Sequence, residues 1–282
     1  MAAADKLTDN VAAPRVTASF ILCVNRDNPW LSEALDSVLC QDDAEFEFLI
    51  AANDCPDPLW EKLNVYAARD ERIRLFRTKI GQLAFNLNFL ANEAAGDYLI
   101  RMDADDVSMP SRLGTLKRKL LVEPVDILGS AVLLINDAGD TIGRMQFPET
   151  GEGIARALPH RTVFCHPAVA IRRQFLLDMK GYIGGFASED TDLWLRAHRA
   201  EARMANLPDA LLKYRVHARQ SIMSSTGYAE VAAHWLKELL IAPSWGRLRG
   251  LLVALGKALF ARRLPGIRRY RTNEHKDDGI GL

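Results

Sequence analysis

The chain has 282 residues, with 36 basic and 36 acidic residues and 49% hydrophobic composition. A chain of that length buries about three quarters of its unfolded surface, so a core forms without crosslinks; disorder, collagen and coiled coil are excluded. A formal net charge of zero excludes binding of polyanions through the whole surface.

Residues 1–15 are small and polar up to Pro14 and read as a mobile leader. They show no basic n-region followed by an apolar h-region, so a signal peptide is not expected. Thr17 to Asn25 is an apolar run that predicts a strand buried on both faces. Asn28-Pro29 reads as an N-cap with proline at the first helical position. Leu31, Ala34, Leu35, Val38 and Leu39 then share one helix face. Phe46 to Ala52 predicts a second strand, Pro58 to Arg69 a helix, and Ile73 to Phe76 a third strand. Phe85 to Ala95 predicts a helix, with Gly96 where a left-handed glycine ends one. A fourth strand, Tyr98 to Met102, runs into Asp103-Ala104-Asp105-Asp106. Alternating strands and helices predict an α/β fold with a mainly parallel sheet, whose ligands bind at the carboxyl ends of its strands. Asn25, Asn53-Asp54 and Asp103 to Asp106 all fall there.

Ser111 to Leu121 predicts a helix, and Asp126 to Asn136 a strand closed by a turn at Asp137 to Asp140. Thr162 to Ile171 reads as a strand around His166-Pro167. Glu189 to Arg199 is a helix led by acids, which suits its dipole. Leu211 to Val216 is strand-like and ends at His217. From Pro243 to Lys276 nine basic residues face one acid, Glu274. Within this tail Leu251 to Phe260 is apolar but too short to span a bilayer. Such a segment reads as an interfacial helix on a membrane surface, or as a basic helix packed on its own domain. Nucleic acid is the weaker partner, since few aromatics interleave the arginines.

Three crowded carboxylates repel one another unless a cation sits among them. Oxygen ligands suit Mg²⁺ or Mn²⁺ shared with a substrate phosphate. The same residues also read as an acidic loop before the helix at Ser111. Glu189 or Asp190 fits a general base at a helix start, or a charge that caps the dipole. His166 and His217 are single histidines near strand ends. Ser188 lacks a G-x-S-x-G setting, and no GxGxxG or Walker pattern occurs, so serine-hydrolase, dinucleotide and P-loop readings fail. Cys23, Cys40, Cys55 and Cys165 form no CxxC and fit a reducing compartment.

Several motifs follow in a telling order. They are Leu83 to Asn88, Ala95 through Asp103-Ala-Asp to Leu113, Cys165-His-Pro-Ala-Val169, Lys180-Gly-Tyr182, Glu189-Asp-Thr-Asp-Leu-Trp-Leu-Arg196 and Leu212 to His217. In this order the chain resembles inverting glycosyltransferases of family 2, over about residues 19–224. The resemblance implies a GT-A fold: a Rossmann-like, mainly parallel sheet flanked by helices. The domains would be the leader, a catalytic domain over residues 16–225 and a helical, basic, amphipathic tail over 226–282.

It further implies a nucleotide-sugar donor, above all a UDP-sugar, and a glycan or lipid-linked acceptor in cell-surface polysaccharide synthesis. Asp103 and Asp105 would form the DxD pair, holding Mn²⁺ or Mg²⁺ with His217. Asn25, Asn53 and Asp54 would line the nucleotide with them. Asp190 would be the base, and Glu189 would stand beside it near the acceptor. Lys79 or Arg101 would assist the diphosphate, although surface placement is their default. The expected location is cytoplasmic, peripheral on the inner face of the cell membrane. The alternatives are a non-enzymatic membrane-associated scaffold and a DxD phosphohydrolase; the latter expects its motif on the first strand.

Overall fold

Ala18 to Val24 pairs on both sides and forms strand β1, buried as its apolar run requires. The computed structural model describes residues 16–217 and 225–260. Helix α1 (Leu31–Leu39) follows, then β2 (Glu47–Asn53), α2 (Asp57–Ala67), β3 (Ile73–Thr78), α3 (Leu83–Glu93) and β4 (Tyr98–Met102). These are the alternating units read from the sequence. β1 pairs in parallel with β2 and β4, and β2 with β3. Their carboxyl ends therefore lie on one edge of the sheet.

The second half is mixed. It contains β5 (Val107–Ser108), α4 (Arg112–Val122), β6 (Ile127–Ile135), β7 (Thr141–Met145), α5 (Gly151–Ala157), β8 (Ala170–Arg172), α6 (Arg173–Asp178), α7 (Glu189–Arg199) and β9 (Met204–Arg215). The sheet order is β3-β2-β1-β4-β8-β6-β9-β5, with β7 paired to β6. β8 is antiparallel to β4 and β6, whereas β9 is parallel to β6.

Both faces of the sheet are covered. Phe20, Leu22 and Val24 pack on one side with Leu31, Leu35, Leu59 and Leu113. Ile21, Leu49 and Ala51 pack on the other with Leu87, Leu90, Leu193 and Trp194. Alternate residues of a strand point to opposite faces, so this double burial explains the continuous apolar run.

Four local readings need correction. Thr162 to Ile171 is not a strand: His166–Ala168 is a 3₁₀ turn, and only Ala170–Arg172 pairs. Pro167 has no N–H to give a ladder. Asn28-Pro29 does not start α1; the Asn28 side chain accepts the Trp30 N–H at 2.8 Å in a turn, and helix begins at Leu31. Gly96 does not end α3 in a left-handed conformation, since Ala94 is already extended at ψ 144°. It is glycine because a Cβ would meet Ser19 Oγ at 2.6 Å. The last strand begins at Met204, not Leu211, because a register shift against β6 absorbs Pro208.

The tail forms α8 (Ser225–Ile241) and α9 (Trp245–Phe260). Ala232, Trp235 and Ala254 are buried in the same core cluster as Trp194 of α7. Gly250 lets the two helices touch: a Cβ there would lie 2.5 Å from the Trp235 ring. No helix among the described residues is long and apolar enough to cross a membrane. The leader, and the tail arginines from Arg262 on, lie outside the described residues.

Candidate functional site

The parallel strands deliver their polar ends to one edge, and a cleft of about 1100 Å³ opens there. Asp103, Asp105, Glu189, Asp190 and His217 all line it. Beyond β4 the chain turns, and Asp103, Asp105 and Asp106 each offer a carboxylate oxygen within 4.8 Å of the others. Asp106 is buried; its Oδ1 accepts the Arg215 N–H at 2.8 Å, and its Oδ2 has no partner. Burial, then the charges of Asp103 and Asp105, push the Asp106 carboxyl well above the usual range. Burial also raises Asp103; Arg101 opposes the rise and Asp105 adds to it. A buried carboxylate oxygen without a donor, inside an acidic trio, is the environment a hard divalent cation relieves. The donor set therefore fits Mg²⁺ or Mn²⁺.

His217 joins this wall from β9: its Nε2 lies 2.9 Å from Asp105 Oδ2. Its ring packs against Trp30, tilted by 41° with 4.6 Å between centroids. Arg215, the last residue of β9, binds the Asp105 carbonyl at 2.9 Å and Glu33 Oε2 at 2.6 Å. Its guanidinium also lies 5.1 Å from the Trp30 ring. Trp30, Arg215 and Asp105 thus form one braced unit around His217.

Arg101 is not a surface residue. It is 2% exposed and pairs with Asp103, and it lines the cleft. Lys79 is exposed, as its default reading has it. Arg112, unremarked in the sequence, is fully buried and donates to the carbonyls of Arg101 and Pro167, each at 2.9 Å. It ties the end of β4 to the turn that carries His166.

The other wall is the start of α7. Glu189 is 8% exposed, and burial, aided by Asp190, pushes its carboxyl up to about 7. Burial raises Asp190 too, although the Thr191 N–H and hydroxyl bind its Oδ1. His166 lies beside them: Nε2 is 3.0 Å from the Tyr182 hydroxyl and Nδ1 4.0 Å from Glu189. Burial, then Arg101, drive His166 well below its usual range, so the ring is neutral. A divalent cation held by these carboxylates would neutralise a departing anion, and acids of raised basicity nearby can accept a proton.

Asn25, Asn53 and Asp54 stand at the ends of β1 and β2 but are not among the residues lining this cleft. Asn25 is exposed. Asn53 is 5% exposed, and its Oδ1 has no partner. Asp54 has φ 48° and donates its N–H to Thr78 at 2.9 Å. Trp30, Arg215 and Arg112 escaped the sequence reading. The alternation of Arg215 with His217 was the one local signal for any of them.

The family model described as glycosyl transferase family 2 matches residues 19–179. The O-antigen biosynthesis glycosyltransferase WbnJ of Escherichia coli is 35% identical over 226 residues, covering 79% of this chain and 88% of that protein. Among solved structures, S. aureus TarS 1-349 in complex with UDP-GlcNAc superposes with a TM-score of 0.66 at 18% identity. It covers 87% of this chain and 73% of its own. The mannosyltransferase PcManGT from Pyrobaculum calidifontis, in complex with GDP-Man and Mn²⁺, gives 0.61 at 18% identity. There the shares are 88% and 71%.

Proposed function

The chain belongs to glycosyl transferase family 2 and is a glycosyltransferase with a GT-A type fold, and from that premise we propose a specific reaction. The chain moves a sugar from a nucleotide-sugar, foremost a UDP-sugar, to a hydroxyl of a glycan or lipid-linked acceptor. It does so with inversion, in the synthesis of a cell-surface polysaccharide. The observation that carries this reading is the cleft itself, lined by Asp103 and Asp105 with the buried Asp106 beside them, and by the raised acidic pair Glu189 and Asp190.

Asp103, Asp105 and His217, with Asp106 behind them, would hold the divalent ion. When bound, that ion stabilises negative charge on the leaving nucleoside diphosphate. Arg101 holds Asp103 in place through their ion pair. Asp190 accepts the proton of the attacking hydroxyl. Burial raises its basicity above that of an ordinary aspartate, which suits that task, and Glu189 orients the acceptor beside it. One displacement inverts the anomeric carbon, so no residue of the chain needs to become covalently attached. Asn25, Asn53 and Asp54, outside the lining of the cleft, would border the nucleotide side only from the ends of β1 and β2.

The outer helices support a membrane-borne acceptor. Leu252, Leu255 and Leu259 share one exposed face of α9, and Trp245 at its start is 86% exposed. Arg247 and Arg249 lie on the same helix. An apolar stripe with basic neighbours suits the surface of an anionic bilayer on its cytoplasmic side. We propose residues 16–225 as the catalytic domain and 226–282 as the tail, whose helices α8 and α9 pack on that domain.

The test is a thermal melt with UDP, GDP, CMP or ADP, each with and without Mn²⁺. A ligand at 100 times its Kd adds about 2.7 kcal/mol and raises Tm by several degrees. A rise only with UDP plus Mn²⁺ supports the reading. A rise with GDP alone changes the donor. No rise with any nucleotide overturns it.

A further inference from the structure

Arg161 and Lys257 line the cleft without a carboxylate partner among the described residues. Arg161 is exposed at the end of the loop after α5. Lys257 is half-buried on α9, and its ammonium donates to the His160 carbonyl at 3.0 Å. Burial pushes this ammonium below its usual range. A partly desolvated lysine held without a counter-ion is a candidate anion site.

Their position is specific. Arg161, Thr162, Thr191 and Lys257 line both the catalytic cleft and a second pocket of about 90 Å³. The rest of that pocket is mainly apolar, with Val163, Trp194, Val231, Trp235 and Val253. Asp103, Asp105 and His217 line the cleft but not this pocket, whereas Thr191 directly follows Asp190. The two cations therefore stand on the side of the acidic pair, away from the carboxylate trio. Gly250, Val253, Ala254 and Lys257 form the inner face of α9, at i, i+3, i+4 and i+7. The exposed leucines at 252, 255 and 259 occupy the opposite face.

We infer that Arg161 and Lys257 seat the phosphate of an amphiphilic acceptor, a lipid phosphate or diphosphate that carries the sugar to be extended. The sugar lies in the cleft beside Asp190. The phosphate bridges the guanidinium and the ammonium, and the first carbons of the lipid enter the small pocket. A guanidinium fork matches two phosphate oxygens, and an ammonium adds a point charge. The pocket is smaller than the ~150 Å³ that holds a benzene, so it takes a short branched segment and no sugar ring. The inference rests on the glycosyl-transfer reading of the cleft and adds the residues that seat the phosphate of its acceptor.

The probe is farnesyl diphosphate, titrated calorimetrically into the full chain in EDTA, without nucleotide. The wild type should bind it at least tenfold more tightly than farnesol or inorganic diphosphate. The double variant Arg161→Gln/Lys257→Gln should bind it no better than farnesol. Both side chains are at least partly exposed, and the amide introduced by Lys257→Gln keeps a donor for the His160 carbonyl, so an unchanged melt is the control for folding. Wild-type affinity no greater than for farnesol, or a double variant that binds like wild type, overturns the proposal.

Sedimentation with phosphatidylglycerol and phosphatidylcholine vesicles separates the two sources of phosphate. If the variant loses only its binding to anionic vesicles, while its farnesyl diphosphate affinity stays, the cations read a bilayer headgroup and the acceptor seat is refuted. UDP with Mn²⁺ is measured separately. Farnesyl diphosphate binding without nucleotide binding leaves the seat intact and sinks the transferase reading; the reverse result sinks the seat alone.

Discussion

Glu230 of α8 accepts a 2.9 Å hydrogen bond from the hydroxyl of Ser188, the residue before the acidic pair of α7. The same carboxylate takes the N–H groups of Phe186 and Ala187, each at 3.0 Å. Gly185, at φ 59°, passes so close that a Cβ would lie 2.4 Å from Glu230 Oε2. A helix beyond the matched family segment thus holds the loop that aims Glu189 and Asp190. His234 and Lys237 of α8 extend the clamp to Ser188 and to the buried Asp192.

Glu230→Ala should remove three hydrogen bonds, two of them from exposed N–H groups, and cost about 1 kcal/mol of stability. Turnover should fall further than nucleotide affinity, because the loop, not the carboxylate trio, loses its anchor. Thermal melts with kcat and the Kd for UDP check both. The pH dependence has a definite sign. Burial raises the Glu230 carboxyl, but the Phe186 and Ala187 N–H groups and the Ser188 hydroxyl outweigh it and hold it below 4.5. Its contribution is full above that value and is lost as pH falls through the folded one.

Asp105→Ala should abolish metal-dependent nucleotide binding, since it would remove a proposed cation ligand and the carboxylate 2.9 Å from His217 Nε2. Asp190→Asn should preserve binding and lower turnover by about 10²-fold or more. Nucleotide titrations with and without Mn²⁺, beside product assays, distinguish them. Retained turnover in Asp190→Asn would refute the base assignment.

Glu189 predicts a gain of stability from losing a site residue. Its carboxyl titrates at about 7 when folded, against 4.5 for an ordinary glutamate, because burial and Asp190 disfavour its charge. A raised value means its stabilising share is full below 4.5 and disappears as pH rises through 7. Glu189→Gln should therefore stabilise the protein at about pH 8 by on the order of 1–3 kcal/mol and bring no gain at about pH 4. Chemical denaturation at the two pH values reads this difference.

Asp190, raised by burial, should give kcat/KM an acid limb above the ordinary aspartate value. Rates measured from about pH 5 to 9 under subsaturating acceptor locate it. A limb at or below about pH 4 would contradict the role.

Two glycines of α9 should respond in opposite ways. Gly250→Ala places a methyl 2.5 Å from the Trp235 ring and should cost about 1–3 kcal/mol. Gly256→Ala meets nothing within 4 Å and should be neutral or stabilise by up to about 1 kcal/mol. Melts of the two variants compare close helix packing with helix propensity on the same element.

Much of the fold was legible locally. The run from Thr17 to Asn25 announced a doubly covered strand, and the leucines after Pro29 announced the helix packed on it. Asp103 to Asp106 stood out because carboxylates at a strand end have few uses. The reading failed where the signal was weaker than the context. Cys165-His166-Pro167 sits in an apolar run, yet proline and a tight turn removed it from the sheet. Gly96 looked like a helix terminator, yet the reason for glycine is Ser19, 77 residues away in sequence.

The sequence by itself determined the α/β alternation, the edge where polar residues gather, and the acids at the starts and ends of elements. Periodicity and end chemistry report a residue's own element, and those features are properties of single elements. Tertiary structure alone decided that Asp105 meets His217 across 112 residues, that Arg101 lies buried beside Asp103, and that α8 anchors Ser188. Burial and partnership are set by segments distant in the chain, and the raised basicity of Glu189 and Asp190 exists only once those segments have excluded water around them.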